Sequence, residues 1–337
     1  MLTLQEIIKI TRNRFKGEAG PFVELNKGGS GRMFCRGIAG DRSMVIAHYN
    51  DDGGDNQHFV HVANFLEEHD IPAARVLAHD AAAGLIWMSD LGDVDLWAFR
   101  LSAWEEKREA YRQALKTAAA LHGIPLQTAR EEDVLPHRRF DANLYRWEQE
   151  YFLNHCLGDH FGWSTEALLA CGALPALAQM AERLAEMPRV PVHRDFQSQN
   201  VMMLEQQAWL VDYQGLRAGL AGYDVASLLI DPYVELPESE QALLLEDYKE
   251  LAGLEGDAAR QFFEAYPFCA VQRLMQALGA YGNLGHRLGK ERYLAYIPIA
   301  LRQLEKHLAI LAGFEPLLLT VRELLAQSTG QERRVAS

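Results

Sequence analysis

Residues 190–214 begin Val190-Pro191-Val192-His193-Arg194-Asp195-Phe196-Gln197-Ser198-Gln199-Asn200-Val201-Met202-Met203. Five residues later the stretch closes with Trp209-Leu210-Val211-Asp212-Tyr213-Gln214. Two short apolar runs therefore bracket the pattern His-Arg-Asp-x-x-x-x-Asn, and a second Asp follows. These residue types suit phosphoryl transfer. Asp195 can take the proton of an attacking hydroxyl, while Asn200 offers a carbonyl oxygen and Asp212 a carboxylate for magnesium on nucleotide phosphates. A tight hairpin between the two would bring Asn200 close to Asp212. Taken singly, a His-Arg-Asp triplet is common and strand-end carboxylates often do no more than cap turns. The joint pattern, set in an otherwise helical half of the chain, decides for the catalytic reading.

Upstream of this stretch the texture differs. A short helix is expected within residues 1–15. Phe22-Val23-Glu24-Leu25, Arg32–Arg36 and Ser43–Ala47 read as three strands joined by Gly-containing turns. Residues 56–69 fit a helix with Phe59, Val62, Ala63 and Leu66 on one stripe, and 75–78 and 85–88 read as two further strands. That is an α+β pattern on a mostly antiparallel sheet. Beyond Leu91, helical spacing is expected over 102–122, 143–157, 165–187, 239–252, 257–279, 290–313 and 315–328.

The bulk numbers restrict the partners. The chain has 337 residues, hydrophobics at 49% and a formal net charge of −13. So acidic a chain repels nucleic acid and anionic lipid, and neither is expected as a partner. Cys35, Cys156, Cys171 and Cys269 are too widely spaced for a C-x-x-C module, and free thiols in a reducing cytoplasm are expected. Neither an apolar signal segment nor a membrane span is legible.

Three segments carry a family resemblance. They are Ser30-Gly31-Arg32-Met33-Phe34-Cys35-Arg36, the loop His193–Asn200, and Asp212-Tyr213-Gln214 with Gly222-Tyr223-Asp224-Val225-Ala226-Ser227 and Asp231-Pro232-Tyr233. Together they resemble the aminoglycoside phosphotransferase-like small-molecule kinases of the protein-kinase-like superfamily. Within that group they resemble the bacterial cell-wall sugar kinases, which phosphorylate the anomeric hydroxyl of N-acetylmuramate or N-acetylglucosamine. The resemblance implies a bilobal fold: residues 1–91 as a nucleotide-binding N-lobe, and 92–337 as a C-lobe holding the catalytic loop and acceptor pocket. It makes Asp195 the base, Asn200 and Asp212 the metal ligands, and Asp224 a helix residue holding the loop by its backbone. His193 and Arg194 are expected to order the loop rather than touch substrate. The cofactors implied are ATP or GTP and Mg²⁺.

The nucleotide is expected under Gly28-Gly29-Ser30-Gly31, where absent Cβ atoms let backbone N–H groups approach phosphates. Met88, Ser89 and Leu91 are expected at the adenine. Strand three, Met44–His48, lacks the Lys that kinases usually place there, so Arg32 or Arg36 is expected to supply the charge. Gln197, Gln199 and Arg217 are the candidate acceptor residues, suited to hydroxyl, acetamido or carboxylate groups. Gly215 and Gln199 depart from the sugar kinases, which the resemblance leads one to expect acidic and basic at these positions. His58 and His61 lack a third ligand at metal spacing and are expected to be packed or solvated. Only eleven residues separate Asp212 from Asp224, too few for the activation segment of a protein kinase. The acceptor is therefore expected to be a small molecule, an N-acetylated amino sugar. An aminoglycoside- or choline-type kinase, and a nucleotide-binding scaffold without activity, are the competing readings.

Overall fold

The computed structural model describes residues 2–16, 19–25, 32–49, 58–131 and 139–335. The expected glycine-rich segment Gly28–Gly31 lies outside them. The chain opens with α1 (Leu4–Phe15), started by a reciprocal cap in which Thr3 and Glu6 satisfy each other's backbone N–H groups. Five strands follow: β1 (Ala19–Leu25), β2 (Met33–Ala39), β3 (Arg42–His48), then, after helix α2 (Phe59–Glu68), β4 (Val76–Asp80) and β5 (Leu85–Ser89). They form one antiparallel sheet in the order β1-β2-β3-β5-β4.

Helix α1 covers one face of this sheet. Its Ile7 packs with Cys35, Met44, Ile46 and Trp87 in a small core, and the Trp87 indole N–H donates to Thr11 Oγ1 at 2.9 Å. The other face, with Ala47, Ile86 and Met88, meets the expected stripe of α2 and merges with the core of the helical part.

The remainder is mostly helical: α3 (Trp104–His122), α4 (Leu126–Glu131), α5 (Ala142–Phe152), α6 (Thr165–Gly172), α7 (Pro175–Glu186), α8 (Ala221–Leu229), α9 (Glu238–Leu251), α10 (Gly256–Gly282), α11 (Ile297–Ala309) and α12 (Glu315–Val335). The single helix expected over 165–187 is two. Gly172 ends the first, and Pro175, whose missing N–H is harmless only at a helix start, opens the second. Helices α5 and α10 both run on into π-helical turns, at Leu153–His160 and Asn283–Arg287. Four short strands interrupt the helices and pair as two hairpin-like units: β6 (Val190–Val192) with β9 (Arg217–Gly219), and β7 (Val201–Leu204) with β8 (Gln207–Leu210). Strand β9 carries no apolar run and was not expected. Among the described residues no helix is long and apolar enough to cross a membrane.

Candidate active site

Strand β6 delivers the chain into the loop that holds Asp195, and a single 3₁₀ turn, Ser198–Asn200, passes it on to β7. Because β7 and β8 pair tightly, the Val211 N–H reaches the Asn200 carbonyl at 3.1 Å, and Asn200 and Asp212 end up side by side as expected. The loop is fixed at its start by Asp224. This carboxylate, fully buried in the first turn of α8, accepts the His193 N–H at 2.6 Å and the Arg194 N–H at 2.8 Å. His122 of α3 donates Nε2 to the same carboxylate at 3.2 Å and accepts the Tyr248 hydroxyl at Nδ1. The His193 ring is also buried and donates Nε2 to the Val211 carbonyl at 2.9 Å. It ties the loop to the residue before Asp212.

Arg194 and Asp212 both hold positive φ, 79° and 60°. Left-handed backbone is costly outside glycine and is kept here by the surrounding hydrogen bonds. Half-buried Asp195 feels two opposing influences. Burial pushes its carboxyl up, but the charges of Arg194, Arg273, His193 and Arg217 outweigh it and hold the carboxyl below the usual Asp range. An ionised carboxylate at this place can accept a hydroxyl proton.

Asn200 donates Nδ2 to the Asp195 carbonyl at 2.9 Å, which leaves its amide oxygen as the free donor atom toward a cation. Asp212 is 38% exposed, and its Oδ1 accepts Arg32 Nη1 at 2.9 Å and Gln214 Nε2 at 3.1 Å. One amide oxygen and one accessible carboxylate, already facing a cationic side chain, form a hard-oxygen pair of the kind magnesium takes when phosphates and water complete its shell. Among the described residues no group of three or more His, Cys, Asp or Glu gathers to hold a metal without such help. His58 stands at the first position before α2 without a side-chain capping bond, and His61 is exposed on the helix.

The two arginines of β2 and its approach part company. Arg32 stands at Asp212. Arg36 instead clamps the turn after β5: its Nε meets Asp90 Oδ2 at 2.9 Å, Nη1 meets Asp93 at 2.6 Å, and Nη2 donates to the Gly92 carbonyl at 2.8 Å. Of the two candidates for the missing lysine, Arg32 is the one in contact with Asp212. No ion pair links strand three to helix α2 in the described residues; the Phe59 ring lies 4.8 Å from that of buried Tyr213, whose hydroxyl donates to the Ala74 carbonyl. Met88 and Leu91 are buried at the turn. The Ser89 N–H, expected among the adenine-facing groups, is already donated to the Arg75 carbonyl at 2.9 Å.

On the acceptor side Gln197 is half-buried and Gln199 exposed. Arg217, the third acceptor candidate, is 4% exposed, donates Nε to the Gly215 carbonyl at 2.9 Å and lies against the Phe140 ring. Pairing of β9 with β6 sets it opposite Val192, beneath the loop, and that pairing is invisible in sequence. A Cβ at Gly215 would sit 3.7 Å from Arg194 Cδ, an ordinary contact distance. Two groups were missed. Asp231 accepts both the N–H and the hydroxyl of Ser198, and Arg273 of α10 brings a buried guanidinium to the loop. A lone charge in the apolar run Cys269–Met275 was the available signal for Arg273.

Comparison with known proteins gives the family and the fold. The family model described as "Phosphotransferase enzyme family" matches residues 22–263. The chain is 30% identical over 317 residues to a protein of Pseudomonas aeruginosa named N-acetylmuramate/N-acetylglucosamine kinase, covering 92% of this chain and 90% of that one. A protein of the same name from Neisseria meningitidis is 28% identical, with 74% and 75% covered. Among solved structures, the gentamicin complex of APH(2″)-IIa superposes with a TM-score of 0.64 at 14% identity, covering 88% of this chain and 97% of that one. Choline kinase LicA from Streptococcus pneumoniae superposes with a TM-score of 0.62 at 12% identity, covering 90% and 99%. At such identities the structures speak for the fold alone.

Proposed function

Since the chain belongs to the phosphotransferase enzyme family and is a small-molecule kinase, we propose that it transfers the γ-phosphoryl group of ATP to the anomeric hydroxyl of an N-acetylated amino sugar, N-acetylglucosamine or N-acetylmuramate. The observation that carries the reaction is the junction of half-buried, ionised Asp195 with the Asn200–Asp212 pair across one short hairpin. The acceptor rests on likeness to the two kinases of that name over most of their length.

In this reading Asp195 accepts the hydrogen of the acceptor hydroxyl as its oxygen bonds to phosphorus and the bond to the ADP oxygen breaks. An anomeric hydroxyl is more acidic than an ordinary alcohol, so a carboxylate of low basicity suffices to orient and deprotonate it. Asn200 and Asp212 would hold Mg²⁺, which when bound neutralises phosphate charge. Arg32, 2.9 Å from Asp212, would supply positive charge to phosphates held there. The division at residue 91 into nucleotide and acceptor lobes belongs to the same proposal. So does a cytoplasmic location, where ATP is present and the four buried cysteines stay reduced.

ADP release measured over a panel of free amino sugars, choline and aminoglycosides tests this. Turnover confined to the N-acetylated sugars is expected. Turnover on choline or an aminoglycoside instead would overturn the acceptor but keep the kinase. Nucleotide binding without turnover on any of them would leave a scaffold.

A further inference from the structure

The loop carrying Asp195 and Asn200 is tied at both ends. Asp224 holds the start, as described. At the far end stands a second buried carboxylate, Asp231, 3% exposed. Its Oδ2 accepts the Ser198 N–H at 2.9 Å and the Ser198 hydroxyl at 2.6 Å, and its Oδ1 accepts the Tyr233 N–H at 2.9 Å. Between the two ties the loop is cross-linked internally. The Gln197 N–H and the Asn200 side chain both donate to the Asp195 carbonyl at 2.9 Å, and the Asn200 N–H donates to the Gln197 carbonyl at 2.9 Å. A shift at Ser198 therefore carries Asp195 and Asn200 with it.

A carboxylate buried this deeply is costly unless hydrogen bonds and an opposite charge compensate it. Three donors are present and the Arg273 charge acts in the same sense, although burial still pushes the Asp231 carboxyl above the usual Asp range. This residue is 8% exposed on α10, donates Nε to Ser227 Oγ at 2.7 Å, and is anchored by Gln276. Ser227 lies on α8 one turn after Asp224 and one turn before Asp231, so the guanidinium is held at the helix that leads from one loop tie to the other, where its charge acts on Asp195 and Asp231.

We propose that Asp231 and Arg273 are a positioning pair for the phosphoryl transfer: Asp231 fixes the Ser198–Asn200 turn from behind, and Arg273 supplies its counter-charge from α10. Helix α10 thereby sets the spacing between Asp195 and Asn200, although its own sequence carries no kinase motif. The proposal rests on the reading of Asp195 and Asn200 as base and metal ligand.

The test uses the full chain with S198A, D231N, R273K, R273M and the double variant D231N/R273M. Amide hydrogen exchange on nucleotide-free protein reads the turn directly, needing neither metal nor acceptor. D231N and R273M are expected to speed exchange at Ser198–Asn200 about tenfold while the amides of α3 and β5 keep theirs, the mark of local opening. Turnover number is expected to fall about 10- to 100-fold with acceptor KM little changed, since a small displacement of reacting groups costs on that scale. R273K should recover most of the loss, and the double variant should be no worse than the worse single one, because the two residues act as a unit. S198A, which keeps the backbone bond, should show a smaller effect in the same direction and serves if D231N does not fold. Unchanged exchange in the turn, or losses that multiply in the double variant, would overturn the pairing. If the parent chain phosphorylates no sugar, the acceptor reading fails, yet exchange and basal ATP hydrolysis still decide this one.

Discussion

At Asp212 three demands meet in one residue: a left-handed backbone, an accessible carboxylate, and a guanidinium 2.9 Å away. Aspartate tolerates that backbone better than most side chains, so the position fits both its geometry and its chemistry. Replacing it by Asn keeps the shape and removes the charge. D212N is expected to lower kcat by roughly 100-fold or more and to flatten its dependence on Mg²⁺; an unchanged magnesium titration would refute the ligand role. The two arginines separate by assay. R32A should raise KM for MgATP about tenfold and leave melting nearly unchanged, because only one partner is lost. Removing Arg36 breaks three contacts on the turn after β5. R36A should therefore cost about 1–2 kcal/mol of stability, read by denaturant midpoint, with a smaller effect on KM. The reverse assignment of the two effects would show that Arg36, not Arg32, meets the phosphates.

At the scale of elements, α10 approaches the chain of α5 and its π-helical extension closely enough that only glycine fits. A Cβ at Gly282 would lie 2.1 Å from the His155 carbonyl oxygen, and one at Gly279 would lie 2.8 Å from that of Tyr151. Neither obstacle is a flexible side-chain tip. G282A is expected to destabilise by about 2–3 kcal/mol through overpacking, and a melting temperature equal to the parent's would contradict the contact. Nothing in the spacing of these glycines announces it. The elements themselves were legible where they carry a strong period: all five sheet strands, and the stripe Phe59, Val62, Ala63 and Leu66 on α2. Strand β9 was not, since Arg217-Ala218-Gly219 becomes a strand only by pairing with β6. For the same reason the burial of Arg217 opposite Val192 could not be read from the sequence. The recognisable loop and strand motifs pointed to Asp195, Asn200, Asp212 and Asp224, although Asp224 reaches the His193 N–H across 31 positions of chain. Asp231 and Arg273 act across 33 and more positions of chain, a relation that only the folded structure displays.

For the whole molecule, acid should weaken the fold in part through His307, which packs on α11 against the Tyr266 ring. Burial, aided by Lys306 and opposed by Glu238, pushes its imidazole down to about 4. The folded chain thus binds the proton less readily than the unfolded one. This contribution is complete above the ordinary value near 6.5 and is lost as pH falls through about 4. H307Q should flatten the fall in denaturant midpoint between pH 6.5 and 4 relative to the parent; parallel curves would place His307 in water. The central claim concerns the reaction itself: that Asp195, with Asn200 and Asp212 across the hairpin, directs phosphate onto an anomeric oxygen. Phosphorus NMR of the product formed from ATP, Mg²⁺ and N-acetylglucosamine tests it most directly, with D195N alongside. The account predicts a 1-phosphate, its phosphorus coupled to the anomeric proton and its reducing end lost, with a rate about 100-fold or more lower in D195N despite normal nucleotide binding. A 6-phosphate with a free reducing end, or a D195N variant that turns over like the parent, would contradict it.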